Sequence, residues 1–202
     1  MDPGAERADG LRIVPANEAS WEDLQAILTG PARRCQCQRQ RLGDHDWWHL
    51  PESERGAILR AETHCDDPRA TETIGIVAYV DGDPAGWCAV DARGVFGRLR
   101  GSPVPWKDRD EDKEDESVWA IACLIVAKEH RHQGLTYPLV AAAVEYARAR
   151  GAKAVEGYPL LTGGKQVIWD EMSVGAVGPF LAAGLAEISH PTKRRLVMRV
   201  DL

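Results

Sequence analysis

Residues 118–159 read VWAIACLIVAKEHRHQGLTYPLVAAAVEYARARGAKAVEGYP, and their order decides the fold. Val118 to Ala127 is an unbroken apolar run of strand length, which suits a strand buried on both faces. A turn, Arg131-His132-Gln133-Gly134-Leu135-Thr136, follows it. A helix then runs from Leu135 to Arg150: Leu135, Leu139, Ala143 and Tyr146 share one face, the charged Glu145, Arg148 and Arg150 lie elsewhere, and Gly151 occupies the stop position. Pro138 falls in the first turn, where its missing N–H would have had no helical partner. Ala154 to Tyr158 reads as a short strand ended by Pro159. Strand, helix and strand in this order predict an α/β domain.

Working outward, Thr73–Val80 and Ala85–Val90 are β-rich runs joined by Asp81-Gly82-Asp83-Pro84, and Asp-Gly supplies the positive φ angles of a tight hairpin. Leu11–Val14 reads as a short strand. Ser20 with Asp23 three residues later resembles a capping box, Trp21, Leu24, Ile27 and Leu28 then form one helical face, and Gly30-Pro31 ends that helix. The stretch 33–50 shows no period, whereas Pro51, Glu52 and Glu54 open a helix that runs to about His64. A short helical segment is expected around Gly94–Leu99, irregular chain over 162–172, a helix over Gly175–Ala183 and a closing strand over Arg195–Val200. Residues 1–10 are polar and read as a flexible tail, which leaves 11–202 as a single domain.

The chain has 202 residues, of which 44% are apolar and 28% charged, ordinary values for a globular protein. Its longest apolar run is ten residues, short of the ~20 that a membrane helix needs. The opening MDPGAERADG lacks the basic-then-apolar pattern of an export signal, and the five cysteines are read as reduced thiols, so a cytoplasmic setting is expected. A net charge of −6 argues against a nucleic-acid partner. From Lys107 to Glu116 acids outnumber bases seven to three, which predicts an exposed loop whose field would draw a cationic acceptor.

Chemistry concentrates where the apolar strand meets the long helix. The first amides of a helix are free and carry the positive end of its dipole, so backbone alone can hold a phosphate or pyrophosphate there. A side chain at position 134 would keep such a ligand from the backbone; Arg131 adds a charge, and the Thr136 hydroxyl can donate to a phosphate oxygen. The Gly-Lys-Ser/Thr of a Walker loop is absent, and an ordinary strand-to-helix turn is the other reading of the same residues.

Strand, Arg-x-x-Gly-x-Thr, amphipathic helix and strand together resemble the acetyl-CoA-binding core of the GNAT N-acetyltransferases, whose motif is Arg/Gln-x-x-Gly-x-Gly/Ala after a strand ending in a Leu-x-Val-like triplet, here Leu124-Ile125-Val126. The hairpin with AGWCAV, the strand AVEGYP, Phe180-x-x-x-Gly184-Leu185 and the final strand follow in the family's order, so residues 73–202 match well and 11–65 loosely. The resemblance implies a mixed, mostly antiparallel sheet flanked by helices, with strands splayed at the acetyl-CoA site. It implies that the backbone of Leu124, Ile125 and Val126 pairs with the pantetheine arm as an added strand, with one amide there polarising the thioester carbonyl. Amides from His132, Gln133, Gly134, Leu135 and Thr136, with Tyr137, would hold the pyrophosphate, and Phe180 would line the cofactor. The reaction implied is direct attack by a primary amine on acetyl-CoA, needing no metal; the acceptor is a small molecule or a peptide, and a homodimer is compatible with the family.

Four departures from the family accompany this. Phe180 stands where a tyrosine often protonates the leaving thiolate, strand 118–126 carries no carboxylate for a general base, Pro138 removes one amide donor, and Thr136 replaces the usual Gly or Ala, which either adds a hydroxyl contact or crowds the site. The sequence offers two substitutes, Tyr158, just past the strand after the helix, as the catalytic candidate, and Tyr137, near the cofactor. The missing acid and base favour the rival reading of a CoA- or acyl-CoA-binding module with little transferase activity. Cys123 as a nucleophile, Cys35, Cys37, His64 and Cys65 as zinc ligands, and Trp47, Trp48 and Trp106 as an acceptor pocket each have a plainer reading as core or surface residues.

Overall fold

A sheet of seven strands, ordered β1-β2-β3-β4-β5-β7-β6, organises the computed structural model, which describes residues 10–162 and 173–202. The strands are β1 (Leu11–Pro15), β2 (Ile76–Val80), β3 (Asp83–Ala92), β4 (Val118–Val126), β5 (Ala154–Gly157), β6 (Ala186–Thr192) and β7 (Arg195–Asp201). Among the described residues the helices are α1 (Trp21–Ile27), α2 (Pro31–Cys35), α3 (Asp44–His49), α4 (Glu52–Thr63), α5 (Gly97–Gly101), α6 (Thr136–Ala149) and α7 (Val177–Ala182). All neighbouring strands are antiparallel except β4 and β5, which α6 connects. The mixed, mostly antiparallel sheet flanked by helices is the architecture expected.

Local chemistry explains most elements. Ser20 Oγ accepts the Asp23 amide at 3.0 Å and starts α1. Helix α1 ends at Ile27 with Leu28 as its C-cap, two residues before the expected Gly30-Pro31 stop; Gly30, at φ +56°, is instead the N-cap from which Pro31 opens α2. The hairpin turn is tighter than expected: only Asp81 and Gly82 form it, both at positive φ, and Asp83 and Pro84 already pair with Val80 and Tyr79. Leu135, Leu139, Val140 and Ala143 pack from the α6 side onto Ile76, Cys88, Val90, Ile121 and Leu124. Leu24, Ile27, Leu28 and Leu59 cover the opposite face, over Val77, Trp87, Ala89 and Ile125. Each fully buried aliphatic side chain stabilises by roughly 1.5–3 kcal/mol, so two covered faces make this sheet the core. Among the described residues no helix is long and apolar enough to cross a membrane.

The structure corrects two expectations. Strand β6 has no counterpart in the sequence reading, because as an edge strand exposed on most positions it shows no apolar alternation. The acidic stretch is not merely solvated: Arg109 and Glu111 fold onto the sheet, with the Arg109 side chain only 6% exposed. The expected flexible tail falls on residues 1–9, outside the described residues, apart from Gly10, whose carbonyl accepts the Asp81 amide at 2.9 Å. Of the irregular chain expected over 162–172, residues 163–172 also lie outside.

Candidate active site

Strand β4 sets the geometry. It pairs with β5 only from Val118 to Ile121, opposite Ala154 to Gly157, and beyond that the two strands part. The Ala127 amide donates to the Ala85 carbonyl at 2.9 Å on the β3 side, so backbone groups of the alternate residues Leu124 and Val126 face the parting. Beyond Val126 a short 3₁₀ turn, Lys128–His130, leads to Arg131 and Gly134. His132 and Gly134 both have positive φ, +58° and +79°, an alternation that turns neighbouring amides toward one concavity. Residues 131–134 are exposed, and a Cβ on Gly134 would meet nothing within 4 Å. The α6 N-terminus behind them has no side-chain cap. This is an open cradle with the positive end of a 14-residue helix at its back.

The residues singled out by sequence divide three ways around this cradle. Arg131, His132, Gln133, Gly134 and Tyr137 are exposed there, and Thr136 is half-buried at its floor. Leu135 is buried and contributes only backbone, since its side chain reaches Gly86 on β3. Tyr137 leans to α7, its hydroxyl standing where a Cβ on Gly178 would come within 2.8 Å.

Along β4 the donors are not all available, contrary to expectation. The Leu124 amide donates to the Ser173 carbonyl at 2.7 Å, and the Val126 carbonyl accepts Arg131 Nε at 3.1 Å. The chain itself therefore occupies the inner part of the parting, while Ile125 is turned to β3.

Phe180, expected among the cofactor-binding residues, has no exposed surface. Its ring is fully buried, lodged against Gly157 and Gly175 in the space that their missing Cβ atoms leave. Tyr158 is corrected in the same way. It is 3% exposed, and its hydroxyl donates to Glu156 Oε2 at 3.0 Å, back along β5 and away from the end where the strands part. Burial first, and the neighbouring Glu156 charge second, hold its phenol well above the ordinary tyrosine range. As packed, Tyr158 is a core residue among Phe96, Leu99, Ala120, Ala122 and Val197.

Sequence reasoning missed Glu156. This carboxylate is fully buried on β5 and meets Arg93 at 3.0 Å, Arg199 at 3.3 Å and Arg109; the same three arginines reach Glu111. Trp106 lies under Arg93 at 4.6 Å, and its indole donates to the Leu99 carbonyl at 2.7 Å, which makes it a support of this cluster. Partial burial pushes the Glu111 carboxyl up, but Arg109 and Arg93 outweigh it and hold the group below its ordinary value. The only available signal was a glutamate inside the otherwise apolar AVEGY.

Cys123 is buried, with its sulfur 3.4 Å from that of Cys37, which also accepts the Trp87 indole N–H at 3.0 Å. The contact with Cys123 and complete burial push the Cys37 thiol well up, the opposite of an activated nucleophile. All five cysteines are free and buried, and among the described residues no group of three or more His, Cys, Asp or Glu side chains converges as a metal site. Trp48 is 74% exposed, and Trp47 lies between Arg39 and Arg55, so the three tryptophans do not share a pocket.

Comparison with solved structures agrees with this layout. A GCN5-related N-acetyltransferase from Kribbella flavida superposes with a TM-score of 0.56 at 19% identity, covering 96% of this chain and 99% of its own. The protein yncA from Salmonella typhimurium, solved with its cofactor acetyl-CoA, gives 0.53 at 13% identity, with 96% and 95% covered. An N-acetyltransferase from Staphylococcus aureus Mu50 gives 0.53 at 14% identity, with 96% and 99% covered. These likenesses show the fold. A search of curated proteins finds no match. The profile of the acetyltransferase (GNAT) family matches residues 37–157, more than half of the sequence and inclusive of β4, the open cradle and α6. The chain belongs to the GNAT family of acetyltransferases, and it is an acyltransferase that uses acetyl-CoA.

Proposed function

We propose that the protein transfers the acetyl group of acetyl-CoA to a primary amine by direct attack, as one domain over residues 11–202. The observation that carries this reading is the open cradle at Gly134: exposed residues 131–134, no neighbour within 4 Å of that Cα's missing substituent, and an uncapped helix behind. Backbone of His132 to Thr136 holds the pyrophosphate, with Arg131 adding charge at its rim and Tyr137 flanking the arm. The pantetheine then runs along the outward backbone of Val126 toward Leu124, taking the places of Arg131 on the Val126 carbonyl and of Ser173 on the Leu124 amide. Five buried thiols support a reducing compartment such as the cytosol.

Among the described residues, the tyrosine hydroxyls other than that of Tyr137 at the cradle are engaged: Tyr79, Tyr146 and Tyr158 bond Asp23, the Thr73 carbonyl and Glu156 respectively, and Phe180 has no hydroxyl. The carboxylates on the sheet face away from α6, Asp91 and Glu156, are both paired with arginines. The reading is therefore of an enzyme that binds and orients, takes its acceptor as the free amine and releases the thiolate to solvent.

Calorimetry with acetyl-CoA tests the reading. Gly134→Val fills the cradle and is expected to weaken acetyl-CoA binding by more than about ten-fold, since it removes close backbone approach along with the helix-end charge interaction. Unchanged affinity in a folded variant would place the coenzyme elsewhere. Thiol release with a panel of polyamines, aminoglycosides, amino acids and peptides then identifies the acceptor.

A further inference from the structure

Helix α3 carries two histidines, His45 and His49, four residues apart. That spacing is about one helical turn, so both side chains leave from the same face. Their rings stack with centroids 4.4 Å apart and planes inclined by 25°. Each ring already uses its Nδ1. His49 Nδ1 lies 2.7 Å from the His45 carbonyl, which can only accept, so this nitrogen carries the proton. His45 Nδ1 lies 3.2 Å from Asp46 Oδ1, and an ionised carboxylate likewise only accepts. With Nδ1 donating, the lone pair of each neutral imidazole sits on Nε2. Neither Nε2 has a partner among the described residues, and both histidines are exposed, His45 by 83% of its side chain.

We propose that His45 and His49 form a two-histidine chelate that takes one divalent transition ion through both Nε2 atoms. Imidazole nitrogen selects zinc, nickel or copper over magnesium and calcium, which prefer oxygen ligands. At a metal–nitrogen distance of about 2.0–2.1 Å, two ligands of one ion stand roughly 3 Å apart, a separation that a modest turn of either stacked ring supplies. The Asp46 carboxylate and the His45 carbonyl fix the tautomer and the ring orientation, as the outer partners of metal-bound histidines do. Among the described residues no third His, Cys, Asp or Glu joins the pair, so water completes the coordination and the ion exchanges. Bound across one turn, it also pins a six-residue helix, in which the Trp47 and Leu50 amides donate to the Gly43 and Asp46 carbonyls at 2.9 and 3.0 Å. No residue of the coenzyme cradle takes part, and the inference stands apart from the acetyl-transfer reading.

The test is calorimetry on the full chain with nickel chloride, zinc chloride and magnesium chloride, at about pH 7.5, where imidazole is neutral. The wild type is expected to bind one nickel or zinc ion per chain at this site and to give no heat with magnesium. His45→Gln and His49→Gln, both at exposed positions, should each weaken binding by at least about ten-fold, because a chelate that loses one arm becomes a single contact. Trp48, 74% exposed and next to His49 in the chain, gives a second readout through quenching by nickel, which both variants should lose. Hydrogen exchange at the Trp47 and Leu50 amides should slow in the wild type on adding zinc and stay unchanged in the variants. No binding to the wild type overturns the chelate. So does binding that neither substitution weakens, which would put the ion elsewhere, for instance on His130 and His132. A loss in only one variant, or equal binding of magnesium, also overturns it.

Discussion

Glu156→Gln separates a structural carboxylate from a catalytic one. Glu156 and Arg93 are both fully buried, Arg109 is nearly so, and the three arginines share Glu156 and the half-exposed Glu111. Removing the charge at 156 leaves the buried Arg93 with Glu111 as its remaining carboxylate and turns an amide N–H toward guanidinium donors. Breaking a buried ion pair from one side costs about 3–5 kcal/mol. Glutamine keeps the volume and one acceptor, so the lower figure, about 3 kcal/mol, applies here. At about 2–4 °C per kcal/mol for a protein of this size, Tm should drop by roughly 6–12 °C. Circular dichroism melts check that, and turnover is followed at 15 °C, where the variant is folded. A general base would lose about 10²–10⁴ in kcat, whereas a structural carboxylate should lose less than about three-fold. A Tm within about 2 °C of wild type, or a collapse of kcat in a folded variant, would refute the assignment.

Other consequences follow from the same geometry. Glu111 titrates below its ordinary value of 4.5 in the folded state, so its stabilisation is complete above that value and fades as pH falls through the lower folded value; urea unfolding should show Glu111→Gln less stable than wild type at pH 7, with the gap narrowing as pH falls below 4.5. Cys123→Ala should keep kcat within about two-fold, because the sulfur is buried against Cys37 and has no base; loss of turnover in a thiol-release assay would make it a nucleophile after all. With an alkylamine acceptor of pKa about 10.4, log kcat/KM should rise by about one per pH unit between pH 7 and 9, and a plateau near pH 7 would reveal a base on the protein.

How much of this was legible in the sequence depended on sequence distance. The β4–turn–α6 unit could be read because its signals are local: an apolar run, a glycine at the turn, and a 3.6-residue period from Leu135 to Tyr146. The Asp81-Gly82 hairpin was legible for the same reason. Glu156 was not, because its partners Arg93, Arg109 and Arg199 are 63, 47 and 43 residues away and only the folded sheet assembles them. The acidic stretch looked solvated because composition records charge and not the counter-charges waiting on β7 and before α5. Ser173 carries no signal at all, since its role lies in a backbone carbonyl that any residue would possess. The resemblance points to Phe180, and sequence position to Tyr158, but neither carries burial, and both side chains are packed in the core.

The absence of a tyrosine at position 180 is accommodated by the packing around it. The Phe180 ring edge fits the clefts over Gly157 and Gly175, and its Cζ, where a hydroxyl would be attached, is 3.6 Å from where a Cβ on Gly175 would sit. The same ring contact lies beside the close approach of Gly175 to Leu124. Phenylalanine here gives up a proton donor. The exchange is tolerable chemically, because a thiol with a pKa of about 8.5 leaves readily as thiolate near neutral pH. Under the proposed function, catalysis leans on orienting the thioester along the backbone of β4 more than on moving protons.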